Sequence, residues 1–151
     1  MPLTEKIDED LRASMKAKDS RRVSTLRLLK AAVKNKEIDK RGPLTAEEVV
    51  SVLSSLSKRF KESIELYTGA GRMDLAQKEE AELAVLQSYM PKQLAPEELD
   101  GLISGCIAES GAKGEADIGK VMRLLMPKVK GAADGKAVNE RVRALLSKTA
   151  P

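Results

Sequence analysis

Apolar residues recur every three to four positions along almost the whole chain, and glycine or proline interrupts this pattern at intervals. Such a period places apolar side chains on one face of a helix, whereas a half-buried strand needs alternation at every second residue. The sequence contains no such alternation and no two-residue hairpin turn. It therefore predicts an all-α chain, with an N-terminal four-helix unit in residues 1–92 and a small C-terminal three-helix domain in residues 93–151.

Helix ends are marked by capping residues and by breakers. Predicted starts are Asp19 or Ser20, a capping box at Thr45 and Glu48, Pro96, Asp117 and Asp134. Predicted stops are Arg41-Gly42-Pro43, Gly69-Ala70-Gly71, Met90-Pro91, Gly111 and the residue before Pro127. In the first segment, Ile7, Leu11, Ala13 and Met15 lie near helical spacing among charges, which predicts an amphipathic helix that ends near Asp19.

The chain lacks histidine and has one cysteine, Cys106. This composition removes imidazole bases, Ser-His and Cys-His pairs, and the histidine ligands of most catalytic zinc sites. We therefore predict no catalytic site, no metal and no cofactor. Cys106 lies in an apolar helical stretch and is predicted to be a buried thiol. No apolar run approaches the ~18 residues of a membrane span, and the charged N-terminus lacks a signal-peptide core, so a cytoplasmic location without membrane contact is predicted.

The formal net charge is +4, and its basic residues concentrate near each end of the chain. On the second predicted helix, Arg27, Lys30 and Lys34 lie at i, i+3 and i+7 and share a face. A second basic zone covers residues 120–143. Both zones are typical of a protein that binds a polyanion such as RNA, although a solvated helix surface produces the same charge distribution.

A glycine-containing loop precedes the last predicted helix, and Lys128, Lys130 and Lys136 surround it. Gly131 and Gly135 permit a tight backbone there. The loop is one residue shorter between its glycines than a phosphate-binding loop of nucleotide triphosphatases, and it has Ala137 where serine or threonine would hold magnesium. The free amides after Asp134 nevertheless suit an anion such as an RNA phosphate. The alternative is a helix cap with solvated lysines.

Three segments together resemble the GatB/YqeY family across nearly the whole chain. They are STLRLLKAAVKNKEI, RMDLAQKEEAELAVLQSYMPKQLAPEEL and IGKVMRLLMPKVKGAADGKAVNERV. The chain looks like a free-standing YqeY-like protein rather than the B subunit of aspartyl/glutamyl-tRNA amidotransferase, because 151 residues leave no room for that subunit's large catalytic part. The resemblance implies an N-terminal helical domain followed by a small helical C-terminal domain.

The resemblance also implies a function, because the related tail of the amidotransferase engages tRNA. Its patterns fall on Gly119, Lys120, Val121 and Met122, and on Lys130, Gly131, Ala133 and Asp134, while Ala132 stands where the YqeY pattern usually has arginine. The expected role is a tRNA-binding accessory module for tRNA-dependent amidation, in a family of carbon-nitrogen ligases that use glutamine as amide donor. Predicted RNA-binding residues are Arg27, Lys30, Lys34, Lys120, Lys128, Lys130, Gly131, Asp134, Gly135 and Lys136.

A second interpretation makes the chain a protein-protein adaptor. An acidic face or the long third helix would then dock an amidotransferase or aminoacyl-tRNA synthetase subunit, and only that partner would contact RNA. The acidic face consists of Glu97, Glu98, Asp100 and Glu109. Charge alone permits either interpretation.

Overall fold

The computed structural model describes residues 2–149, and every regular element in that range is helical. The all-α prediction is confirmed. The elements are α1 (Leu3–Lys16), α2 (Ser20–Lys40), α3 (Ala46–Gly69), α4 (Met73–Gln87), α5 (Pro96–Ser110), a 3-10 turn (Glu115–Asp117), α6 (Ile118–Val129) and α7 (Gly135–Thr149).

Contacts along the backbone divide the chain into two compact units, Met1–Met90 and Pro91–Pro151. The first contains α1 to α4 and the second contains α5 to α7. Each unit has its own apolar core. The fully enclosed side chains of the first include Leu26, Leu29, Leu53 and Leu86, and those of the second include Ile103, Leu125, Val138 and Leu146. Burial of each stabilises its unit by roughly 1.5–3 kcal/mol relative to an exposed side chain.

The predicted capping box at the start of α3 is confirmed. Thr45 Oγ1 accepts the Glu48 N–H at 3.2 Å, and Glu48 Oε2 accepts the Thr45 N–H at 2.8 Å. Lys40 Nζ also lies 2.7 Å from Glu48 Oε2, and its side-chain bond is the main cause that lowers the pKa of Glu48. The end of α2 is thereby joined to the start of α3.

The predicted start of α6 directly after Asp117 is confirmed, but two details at the ends of this helix are wrong. Asp117 does not cap the helix, because its backbone is not extended and its carboxylate accepts the Lys113 N–H at 3.0 Å. The helix also continues through Pro127 to Val129. A proline inside a helix lacks an N–H and its ring crowds the carbonyl four residues earlier, but the bonds beyond it can still form. Here the Lys130 N–H donates to the Met126 carbonyl at 3.0 Å.

The predicted amphipathic first helix is confirmed as α1, but not all four of its apolar positions lie on the buried face. Met15 is 50% exposed and Ala13 is exposed, whereas Ser14 is buried. Ser14 lies seven residues after Ile7 and therefore continues the face of Ile7 and Leu11. Its hydroxyl donates to the Asp10 carbonyl at 2.8 Å, which satisfies the buried polar group within the helix.

A polar cluster around Tyr89 connects α1, α2 and the turn after α4. The buried Tyr89 hydroxyl donates to Asp10 Oδ2, and Arg22 Nη2 donates to the Tyr89 oxygen at 3.4 Å. Lys6 Nζ lies 5.7 Å from the centroid of the Tyr89 ring. Burial raises the pKa of Tyr89 to about 12, and the hydrogen bond to Asp10 is the second largest cause of this increase. The cluster thus holds the neutral phenol in place.

In the second unit, a bidentate ion pair joins α5 to α7. Arg141 Nε and Nη2 each lie 2.7 Å from an oxygen of Asp100, and this bond is the main cause that lowers the pKa of Asp100. The segment before α5 is fastened to the same unit. Gln93 Nε2 donates to the Gly131 carbonyl at 2.8 Å, and the Leu94 N–H donates to the Ala132 carbonyl at 2.9 Å.

Replacing Tyr89 by phenylalanine is expected to lower the free energy of unfolding by about 1 kcal/mol, because the bond to Asp10 is lost while the ring still packs. The folded-state pKa of Tyr89 lies above the ordinary value, so this contribution is complete below pH ~10 and is lost as pH rises towards about 12. Urea denaturation at neutral pH measures the change.

The matched control is Tyr67→Phe, which removes the hydroxyl of a partly exposed tyrosine on α3. Equal urea midpoints for the two variants would contradict a structural role of the Tyr89 hydroxyl.

Candidate functional site

The three predicted basic residues of α2 line one open groove. Arg27, Lys30 and Lys34 form its wall on α2, and Thr4, Ile7 and Asp8 of α1 lie on the other side. The groove encloses about 560 Å³. Its lining is partly apolar, because Ile7, Ala31 and Val33 also contribute to it.

A second depression of about 530 Å³ shares Arg27 with this groove and extends it towards the turn between α1 and α2. It is lined by Met15, Lys18, Ser20, Val23, Ser24 and Arg27. We refer to Lys18, Arg27, Lys30 and Lys34 as the basic strip. Lys18 was not predicted as a site residue. It lies in the turn after α1, and its backbone is not helical, with a φ of 57°. Helical periodicity carries no information about where such a residue lies.

Most of the positive charge of the basic strip is not neutralised. Lys30 Nζ lies 2.8 Å from Asp8 Oδ1, but Lys18, Arg27 and Lys34 make no ion pair with any other part of residues 2–149. Glu37 is the other carboxylate that lines the groove. The strip therefore presents four cations against two carboxylates.

Two large apolar side chains lie exposed on the same helix. Leu28 is 44% exposed and Ile38 is 63% exposed. Neither belongs to the buried stripe of α2, so the helical period gives no reason to predict them as core residues. Their signal is that they are apolar residues on the face that the period assigns to solvent.

The lysines predicted as a site in the second unit are more dispersed. Lys120 and Lys128 lie eight residues apart on α6, which corresponds to about 12 Å along the axis. Lys120 Nζ is 3.7 Å from Asp117, and Lys128 Nζ is 3.7 Å from Glu109. Both cations are therefore partly neutralised.

The loop before α7 has the geometry of a helix cap. Gly131 has a φ of 77°, and its carbonyl and that of Ala132 are bound by Gln93 and Leu94. Asp134 Oδ2 accepts the Ala137 N–H at 3.2 Å, so the predicted cap is confirmed. The Asp134 carboxylate thus already supplies the negative charge that a bound anion would bring to the start of α7.

Lys130 and Lys136 are exposed on either side of the Asp134 cap, and Gly135 is the first residue of α7. The assignment of this loop and of the α2 cations to RNA binding stays a prediction.

The acidic face considered for adaptor docking is partly used within the second unit. Asp100 is held by Arg141, and Glu109 is paired with Lys128. Glu97 and Glu98 are exposed.

A third groove, of about 600 Å³, lies between α2 and α3. Its charges are mixed: Lys36, Lys40 and Arg59 alternate with Asp39 and Glu48, and the Lys40–Glu48 pair closes part of its rim. Its three cations and two carboxylates give the same balance as the groove between α1 and α2. The basic strip is more positive because Lys18, in the adjoining depression, adds a fourth cation.

Cys106 is a buried free thiol, as predicted. Across residues 2–149 we find no group of three or more Cys, Asp or Glu placed to hold a metal ion. None of the helices in that range is both long and apolar enough to cross a membrane.

The fold and the basic strip define a small all-helical protein with two separate cores and a positively charged groove on the first unit. The chain belongs to the YqeY-like protein family, whose model matches residues 4–146. The resemblance inferred from the sequence is confirmed at this level.

Curated relatives are fungal proteins named "Altered inheritance of mitochondria protein 41, mitochondrial". The protein of Eremothecium gossypii is 41% identical over 56% of this chain and 46% of its own length. The protein of Pyrenophora tritici-repentis is 28% identical over 93% of this chain and 79% of its own length. The protein of Lachancea thermotolerans is 36% identical over 68% of this chain and 57% of its own length. In two of these three relatives, the matched part is about half of the protein.

These relatives contradict two predictions. Their names place them in mitochondria, so the cytoplasmic location predicted from the sequence is wrong. The lack of a long apolar run, on which that prediction rested, does not distinguish the cytoplasm from other aqueous compartments. Their names refer to mitochondrial inheritance rather than to tRNA or amidation, so the predicted tRNA-binding amidation module is also wrong. Clustered lysines report only the sign of a partner's charge, and several of those lysines are already paired within the chain.

Proposed function

We propose that this chain is a non-enzymatic binding protein whose first unit recognises an acidic segment of a partner protein through the basic strip. The observation that carries the proposal is the set of three unpaired cations, Lys18, Arg27 and Lys34, along an open groove with a partly apolar lining. A protein segment offers both carboxylates for the cations and apolar side chains for the lining.

The aromatic residues support a protein rather than a single-stranded nucleic acid as the ligand. Phe60 and Tyr89 are buried in the first core, and Tyr67 is the remaining aromatic residue of the chain. Single-stranded nucleic acids are commonly held by stacking of bases on exposed aromatic rings. The basic strip includes none of these rings. Three partners suggested by the sequence stay predictions: an amidotransferase, an aminoacyl-tRNA synthetase and tRNA.

Charge reversal of the basic strip tests this function. Arg27→Glu with Lys34→Glu is expected to weaken binding of a fluorescent peptide rich in Asp and Glu by about tenfold or more, because two surface charge contacts of up to about 1 kcal/mol each are lost and replaced by repulsion. Fluorescence anisotropy at several salt concentrations measures the affinity, and the difference should diminish as salt increases.

The matched control reverses two exposed lysines of α3, Lys58→Glu with Lys61→Glu, and changes the net charge by the same amount. An equal loss in both variants would mean that overall charge attracts the peptide and would overturn the proposal. Binding of folded tRNA in preference to the peptide would overturn it as well.

Asp8 is expected to compete with the ligand, because its carboxylate already lies 2.8 Å from Lys30. Replacing Asp8 by asparagine should free Lys30 and strengthen binding of the acidic peptide about two- to fivefold, within the range of one surface ion pair. Glu62→Gln is the matched control, since Glu62 is an exposed carboxylate on α3 that lines neither depression of the basic strip. An increase of the same size in both variants would contradict the specific role of Asp8.

We also propose that the two compact units are independently folding domains, a four-helix domain in residues 1–92 and a three-helix domain in residues 93–151. Support comes from their separate cores and from the bonds of Gln93 and Leu94 to the loop before α7. Each piece, expressed alone, should unfold cooperatively on heating and retain helical circular dichroism. A piece that lacks a cooperative transition would show that it depends on the other.

A further inference from the structure

The exposed apolar residues of α2 follow a regular spacing. Leu28, Ala31, Asn35 and Ile38 are all exposed, and they are separated by three, four and three residues. This spacing is that of the a and d positions of a heptad, which line up along one side of a helix. From Leu28 to Ile38 the seam extends for about 15 Å, which is nearly three helical turns.

The cations of the basic strip border this seam in a fixed register. Arg27 directly precedes Leu28, and Lys34 directly precedes Asn35. Each cation therefore lies at the g position beside an a position. Residues at g contact the flanking residues of a helix that packs on the seam, and their charge determines which helix is accepted.

We propose that the acidic segment bound by this protein is an amphipathic helix that packs lengthwise on α2. This inference rests on the proposed function and specifies the form of its ligand. Apolar residues of the partner helix, spaced three and four apart, cover Leu28, Ala31 and Ile38. Its Asp or Glu side chains face Arg27 and Lys34, and a polar residue lies opposite Asn35, because a polar a position favours a polar partner.

An extended segment does not fit the same surface. Its same-face side chains recur about every 6.6–6.8 Å, whereas successive seam residues lie about 4.5 or 6 Å apart along the helix axis, so an extended segment falls out of register with the seam. An acidic but unpatterned segment would contact the cations and leave the apolar seam in water. The two ligand forms therefore differ in whether Leu28 and Ile38 contribute to affinity.

A second copy of this chain complements the charges beside the seam less well than an acidic helix does. In an antiparallel pair of α2 helices, g positions face g positions, so Arg27 and Lys34 would meet the same cations of the other copy. In a parallel pair, Lys34 would face Asp39, but Arg27 would face the apolar Ala32. An acidic helix supplies a carboxylate to both cations.

Two synthetic peptides of identical composition and net charge test the inference with the full-length protein. One places Leu at heptad a and d positions with Glu beside them, and the other has the same residues in scrambled order. Anisotropy titrations are expected to show at least tenfold tighter binding of the patterned peptide. Leu28→Ser with Ile38→Ser should remove most of this preference, because the apolar contacts are lost while Arg27 and Lys34 remain.

The matched control is Leu66→Ser with Met73→Ser, which removes two other exposed apolar side chains, 75% and 49% exposed, near the turn between α3 and α4. This variant should keep the preference for the patterned peptide. All four positions are exposed, and unchanged urea midpoints will verify that both variants fold.

The outcomes separate this inference from the proposed function. If both peptides bind equally well, and charge reversal of Arg27 and Lys34 weakens the binding of both, the inference of a helical ligand is overturned. The proposed function would still stand. Failure of both peptides to bind would overturn the proposed function and, with it, the inference. Sedimentation that shows a dimer of the wild type, dissociated by the Leu28 and Ile38 substitutions, would identify a second copy as the occupant and overturn the inference.

Discussion

Helix α2 can bury only part of its surface, and the first unit is organised around this constraint. Leu26, Leu29 and Val33 lie on its inner side and pack in the core with residues of the other helices. The helix has 21 residues, and its outer side carries cations together with exposed apolar residues. Packing of the inner side thus presents the outer side to solvent as a rigid surface.

Electrostatic pairing decides which basic residues of this protein remain available to a ligand. In the second unit, Lys120 and Lys128 have carboxylate neighbours, and Asp134 occupies the start of α7. In the first unit, a single carboxylate, Asp8, pairs with the basic strip. Two zones that look alike in the sequence therefore differ in the structure, and two of the ion pairs that distinguish them, Lys128–Glu109 and Lys30–Asp8, each join different helices.

The polar contacts that connect the helices follow the same rule. Asp10, Arg22 and Tyr89 come from three separate segments, and Asp100 and Arg141 lie 41 residues apart. None of them has a signature in the local sequence. In contrast, the capping box of α3 involves residues three apart and was predicted correctly, because the backbone alone brings them together.

By itself, the sequence determined the all-helical class, the family, most helix ends and the shared face of Arg27, Lys30 and Lys34. All of these follow from local spacing or from matching segments. Tertiary structure alone decided that the α6 helix continues through Pro127, that Asp8 lies against Lys30, and that Lys18 joins the basic strip. These features depend on which helix packs against which, and that choice is made by long-range burial of apolar surface rather than by the order of residues along one helix.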